Sequence, residues 1–405
     1  MQSEQQLPEP IRGQEDNSWA RTTIVERLPD ILSRTVVEND FPPPVKAELE
    51  ALHAEIPGAR IRPIRDVQAP DYADWKTFTA PYLDDDWLEV PWFFAEHYFY
   101  RRIMDAVSYF QHRKDPFLSQ KRKGYRNNRD RIRKYAEGLG ERLDDGGLDQ
   151  GDVRDVLHLS LWGNQGDLSL WPADGGSAPD HEDADSAQEH LLADQSPAIT
   201  GLLFGRGRVP RVDVLLDNAG FEFVTDLGLV DLFLTSGLVH QVVLWAKVHP
   251  TFVSDLTSWD IGDGIVHLLQ DDNAAVKDLG QRLADHLESG RLRIKEDFYW
   301  NSPLPLRDLP LPLRKEFSES SLVISKGDAN YRRLVGDRHW DFTTPFAAVV
   351  DFFPAPLAAL RALKAELAVG LDRSAIQRAE KGDSEWMING RWGVIQWAPG
   401  PDEKD

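Results

Sequence analysis

The chain has 405 residues, 41% of them apolar and 10% aromatic, which is enough to bury a large core and excludes a disordered chain. Its 46 basic and 67 acidic residues give a net charge of −21, a field that repels nucleic acid and anionic lipid. Cysteine is absent, which excludes disulfides, thiolate zinc sites and cysteine nucleophiles together.

The first residues are polar, without the apolar core of a signal peptide, and no run of about 18 apolar residues follows, so a cytoplasmic protein with no membrane span is expected. Residues 18–40 carry Ile24, Leu28, Ile31, Leu32 and Val36 at helical spacing, and Pro42, Pro43 and Pro44 end that pattern. A second helix begins at PVKAELEALHAEI, with proline near its first turn. Residues 87–110 form the most aromatic stretch. Trp92, Ala95, Phe99 and Ile103 share one helical face; Glu96, Tyr100 and Met104 share the next. The basic stretch 112–143 reads as a solvated helical face, and LDDGGLDQGD (143–152) as a boundary. Two units follow from this: an N-terminal helical region, 1–150, and a domain over 151–405 that carries an acidic surface loop at 173–190.

Beyond residue 195 the pattern alternates. Strands are expected at Arg211–Leu216, Val239–Ala246, Arg291–Ile294 and Leu322–Ser325, separated by helices at Phe221–Leu234, Ala274–Glu288 and Tyr331–Val335. Such alternation predicts an α/β fold, a mostly parallel sheet flanked by helices. LAALRALKAELAVGL, with Arg361 and Lys364, reads on its own as an ordinary helix.

Ligands of open parallel sheets collect at the carboxyl ends of strands. Asp217 and Asn218 stand where the 211–216 strand hands over to the 221–234 helix, and Glu222 follows Asn218 by four residues, on the same side of the first turn. Helix capping explains one such residue. Two of them plus a glutamate, with Asp255 a few residues past the next strand, suit a Mg2+- or Mn2+-class ion held by hard oxygen donors. That ion would also supply the local positive charge an anionic substrate needs in an acidic protein. Lys326, Asn330, Arg332 and the amides of the KGD turn are candidates for holding the anion. The glycine-rich phosphate loops and the GxSxG and HExxH motifs do not occur.

Six stretches carry a resemblance: LSLWGNQGDLSLW, VDVLLDNAGFEFVTDLGLVDLFL, KVHPTFVSD, ISKGDANYRRLVGD, the TPF of WDFTTPF, and LRALKAELAVGL. In this order they resemble the DUF89 family, and more narrowly its ARMT1 (acidic-residue methyltransferase 1) branch; PWFFAEHYFYRRI looks like that branch's N-terminal helical region. The resemblance covers roughly residues 20–400. It implies a metal-dependent damage-control phosphatase acting on small sugar phosphates such as fructose 1-phosphate, using Mn2+, Co2+, Ni2+ or Mg2+. Asp217, Asn218 and Asp255 match the family's metal ligands, and Asp217 and Asn218 also its substrate contacts. Glu222 matches a further active-site acid, and Asp328, Ala329, Asn330, Tyr331 and Arg332 the substrate-binding segment. Lys364 matches the phosphate-binding lysine of an Arg-Thr-x-Lys motif that reads Arg361-Ala362-Leu363-Lys364 here, so the hydroxyl is missing. Glu96, Tyr100 or Arg101 is expected near the pocket mouth. The nucleophile is either water or a carboxylate, Asp217 or Asp255. A second activity ascribed to the branch, S-adenosylmethionine-dependent methylation of protein carboxylates, is the alternative. The oligomeric state stays open.

Overall fold

The computed structural model describes residues 7–144, 146–163, 189–205 and 207–401. Residues 164–167, which follow Gly163, and all of the acidic 173–190 loop except its last two residues lie outside them. Seven described strands form one sheet: β1 (Leu191–Asp194), β2 (Val209–Leu215), β3 (Val239–Ala246), β4 (Leu292–Glu296), β5 (Leu322–Lys326), β6 (Leu357–Ala362) and β7 (Gly393–Ala398). Their order is β1-β7-β6-β5-β2-β3-β4, and β6–β7 is the antiparallel pair. The fold is the expected α/β arrangement with an N-terminal helical region.

The sheet is buried on both faces, and alternate residues sort to opposite sides. Leu215, Val243, Trp245, Val323, Leu357 and Ala359 join one core with the N-terminal helices. Val212, Val214, Leu244, Ile324, Ala358 and Leu360 join the other, with the helices Gln150–Trp162 and Phe221–Thr235. This two-sided burial is why the strands read as continuous apolar runs rather than as alternation.

One stretch departs from expectation. LAALRA is strand β6, not a helix, and all six of its residues are buried. Alanine, leucine and arginine favour helix only weakly, by tenths of a kcal/mol per residue. Ladders to β5 on one side and β7 on the other, with burial on both faces, outweigh that preference.

The N-terminal part is held by specific contacts. The helices Trp19–Thr22 and Leu28–Glu38 are joined by a π-helical segment, Thr23–Arg27. The aromatic helix Trp92–Ala106 is buried around most of its circumference. The basic stretch forms the helices Leu118–Asn127 and Arg129–Asp144 and is less solvated than expected. Lys121 is buried between Asp115, at 2.9 Å, and Asp260, at 2.7 Å. Gly124 meets Gly220 backbone to backbone: a Cβ on either would lie 3.3 Å from the other's Cα.

Tyr135 is fully buried, donates to the Thr225 carbonyl at 3.1 Å, and packs on Gly228 so closely that a Cβ there would stand 2.1 Å from its hydroxyl. Replacing a mid-helix glycine by alanine gains roughly 1 kcal/mol of helix propensity. Overpacking a core costs about 1–3 kcal/mol, and a clash at this distance belongs at the upper end. Gly228→Ala is therefore expected to lower the thermal midpoint, as read by differential scanning calorimetry; a midpoint equal to or above wild type would refute this packing.

Candidate active site

Just past β2 and β3 the two chains turn back toward each other. Leu256 N–H donates to the Asp217 carbonyl at 2.9 Å and Ala219 N–H to the Ser254 carbonyl at 2.7 Å, making an antiparallel bridge between Asn218 and Asp255. This pairing sets Asp217, Asn218 and Asp255 side by side, all buried, at the carboxyl ends of two neighbouring parallel strands.

Capping does not account for them. The N-cap of Phe221–Thr235 is Gly220, at φ +87°, and no side chain caps that helix. The Asn218 amide nitrogen instead donates to Asp217 Oδ2 at 2.6 Å and to Glu222 Oε2 at 2.9 Å, while its oxygen accepts from Ser254 Oγ at 2.5 Å. Glu222 thus converges as its spacing predicts, but it stands behind Asn218, does not line the pocket, and meets the site through the hydrogen bond it accepts from that amide.

Lys247, which the sequence pattern does not single out, is buried and ion-paired with Asp255 Oδ2. Burial depresses its pKa, against the pull of Asp255. Burial, then the Asp255 and Glu222 charges, push the Asp217 carboxyl well above the usual range. Burial takes Asp255 to about 6, against the opposing effect of Lys247.

β5 and β6 deliver the opposite wall. Gly327, at φ +85°, lies against the Asp217 carboxylate, where a Cβ would sit 1.9 Å from Oδ2. Asp328 opens the helix Asp328–Val335 and accepts from Arg361 Nε at 2.8 Å and from the Lys364 amide at 3.0 Å. Although half-buried, it is held below the usual carboxylate range, chiefly by Arg361. Asp328, Ala329, Arg332 and Lys364 line the pocket, together with Trp92, Glu96 and Tyr100 from the aromatic helix and Arg27 from the π segment. The cavity measures about 140 Å³. A larger hollow, about 560 Å³, lies at the other end of β2 and β3 around Arg208 and Gly237, and no described carboxylate lines it.

Several expected contacts lie elsewhere. The Lys326 ammonium bonds Ser160 Oγ at 2.7 Å and pairs with Asp226 at 3.0 Å, on the far side of the sheet end. The Asn330 amide nitrogen is spent on the carbonyls of Leu216, at 3.0 Å, and Lys326, at 2.9 Å. Tyr331 turns inward to Gln396, at 2.8 Å. Helical geometry explains the split: residues 328, 329 and 332 share the pocket face, whereas 330 and 331 face the core. Arg361 is buried, bonding Asp328 and the carbonyls of Leu367 and Ala365, and so braces the Lys364 loop. Arg101 is paired with Asp71 at 2.7 Å and leaves the mouth to Glu96 and Tyr100.

A family model, the damage-control phosphatase ARMT1-like domain, matches residues 23–378. The chain belongs to that family. It is 29% identical over 428 residues to Damage-control phosphatase ARMT1 of Mus musculus, covering 96% of this chain and 98% of that one. The Danio rerio protein of the same name is 30% identical over 98% and 99% of the two chains, and that of Bos taurus 33% identical over 77% and 75%. Among solved structures, a DUF89 family protein from Pyrococcus horikoshii aligns with 14% identity and a TM-score of 0.49, over 91% of this chain and 95% of that one.

The two buried carboxylates, Asp217 and Asp255, suit a hard divalent cation, with Gly327 leaving room beside Asp217, whereas the Asn218 oxygen is turned to Ser254. Among the described residues no three or more histidine, cysteine or carboxylate side chains gather into a group that could hold a metal ion.

The raised carboxyl pKa values have a checkable sign. Between the unperturbed 3.8 and about 6, folded Asp255 holds a proton that the unfolded chain releases, so its contribution to stability falls as pH rises through that window. A divalent cation reverses the penalty by binding the ionised form. Mn2+ should therefore raise the melting temperature more at pH 7.5 than at pH 5 in a thermal-shift titration. Equal rises at the two pH values would refute a carboxylate-held ion.

Proposed function

We propose that this protein is a divalent-metal-dependent phosphatase that hydrolyses small sugar phosphomonoesters of the fructose 1-phosphate kind. Family membership supports the coarser assignment, a damage-control phosphatase. The finer one rests on the meeting of Asp217, Asn218 and Asp255 with Lys364 around one pocket.

Two carboxylates buried together concentrate negative charge, which a divalent ion offsets. Asp217 and Asp255 are the carboxylates that would hold it. When bound, Mn2+, Co2+, Ni2+ or Mg2+ supplies Lewis-acid polarisation of a phosphoryl oxygen. Lys247 occupies one oxygen of Asp255 and fixes the orientation of the other. Glu222 and Ser254 lock the Asn218 amide, its nitrogen toward the carboxylates and its oxygen toward Ser254.

The remaining wall suits an anion with a polar body. Lys364 has no ion-pair partner among the described residues, so its charge is available to phosphoryl oxygens. The amide end of the Asp328–Val335 helix faces the same space, where the helix dipole favours negative charge. Glu96 and Arg332, paired with each other, present hydrogen-bonding groups for hydroxyls. Burial raises the Glu96 carboxyl despite Arg332. A cavity of about 140 Å³ favours a small phosphomonoester over a polymer.

A phosphate-release screen over sugar phosphates, with and without Mn2+ or Co2+, tests the proposal. Asp217→Asn and Asp255→Asn are each expected to abolish metal-dependent release. Lys364→Ala is expected to raise KM about 10- to 100-fold, the loss of one charge-assisted bond, with a smaller change in kcat. Full turnover by Asp217→Asn at saturating metal would refute the mechanism. S-adenosylmethionine-dependent methyl transfer, assayed on the same preparation, distinguishes the alternative activity.

A further inference from the structure

The charges in this pocket leave one side chain without a role. Arg332 is committed: Asp337 accepts from Nε at 2.7 Å and from Nη2 at 3.1 Å, Glu96 from Nη1, and Trp92 stacks 3.6 Å from the guanidinium carbon. Asp328 is matched by Arg361. The carboxylates around Asn218 are opposed by Lys247 and, under the proposed function, by a divalent ion. Two cationic side chains of the pocket wall then remain without a hydrogen-bond or ion-pair partner among the described residues. One is Lys364; the other is Arg27.

Arg27 arrives from a different part of the chain. It ends the π-helical segment Thr23–Arg27, in which the first two residues are buried and Arg27 is exposed at the pocket rim. A π turn adds a residue to the helical repeat and is frequent at functional sites. The start of the same helical run is tied to the Lys364 loop. Glu366 accepts from the Trp19 amide at 2.7 Å, and the Lys364 carbonyl accepts from Trp19 Nε1 at 3.0 Å. The two unpaired cations therefore sit on segments bonded to each other.

We propose that Arg27 is a second substrate clamp: together with Lys364 it takes the phosphate dianion, so that selection for phosphorylated ligands is shared between the N-terminal helix and the sheet. A phosphomonoester carries about −1.5 to −2 near neutral pH, which two cations match. A guanidinium can meet two phosphoryl oxygens at once, as an ammonium cannot. The clamp rests on the phosphatase reading but has its own readout.

The test uses the full chain with Mn2+ and the best sugar phosphate from the screen. In Arg27→Gln, KM for that substrate and the inhibition constant of inorganic phosphate are expected to rise together, by about 10-fold or more, with kcat little changed. Arg27→Lys is expected to recover part of the loss, because it keeps the charge but not the fork. The melting temperature of the ligand-free protein should not move, since the side chain is exposed and without a partner. Both constants staying within about twofold of wild type in Arg27→Gln would overturn the clamp while leaving the phosphatase assignment intact. Should wild type release phosphate from no sugar phosphate, that assignment fails, and equilibrium dialysis with inorganic phosphate tests the clamp alone. Weaker binding by Arg27→Gln would support it; equal binding, or none by wild type, would overturn it.

Discussion

The site depends on a short antiparallel exchange of backbone hydrogen bonds beyond the ends of two parallel strands. Asp217 with Leu256, and Ala219 with Ser254, hold two loops together that would otherwise diverge into separate helices. The exchange places two carboxylates next to one another out of water, an arrangement that is unfavourable unless cations compensate. Lys247 enters from the same loop, Lys364 from across the sheet, and Gly327 clears the space between them. In a protein with a net charge of −21 these lysines bring local positive charge to the ends of the strands.

Much of this was legible in the sequence because burial on both faces writes strands as apolar runs. Val239–Ala246 and Ala274–Glu288 fall where their patterns place them. The convergence of Asn218 with Glu222 follows from helical spacing alone. What that spacing left open was whether the pair caps a helix, and Gly220 at the N-cap answers it.

The features that escaped have physical causes. The run around Arg361 is helix-like in composition, and only its place between β5 and β7 makes it a strand. Lys247 is one residue past β3 and becomes a partner of Asp255 only because the chain doubles back eight residues later. Arg27 depends on a π insertion, which a 3.6-residue periodicity does not reveal. Within the 328–332 segment the family pattern marks a contiguous block, but a helix presents only some of its residues to one side. Asn330 and Tyr331 consequently serve the frame while their neighbours serve the pocket.

The contact between Gly124 and Gly220 bears on how this protein can change over generations. Most tight packing leaves a route for paired substitution, in which one partner grows as the other shrinks. Here both partners already have no side chain, and the nearest atoms on each side are backbone. Neither position has a smaller residue to yield, so an enlargement at one has no compensating reduction at the other. Gly220 is doubly confined, because its positive φ also disfavours any side chain. The step from Asn218 to Glu222 is thus fenced by a helix from a distant part of the chain. Sequence drift in that helix is limited by the site even though none of its residues reaches the pocket.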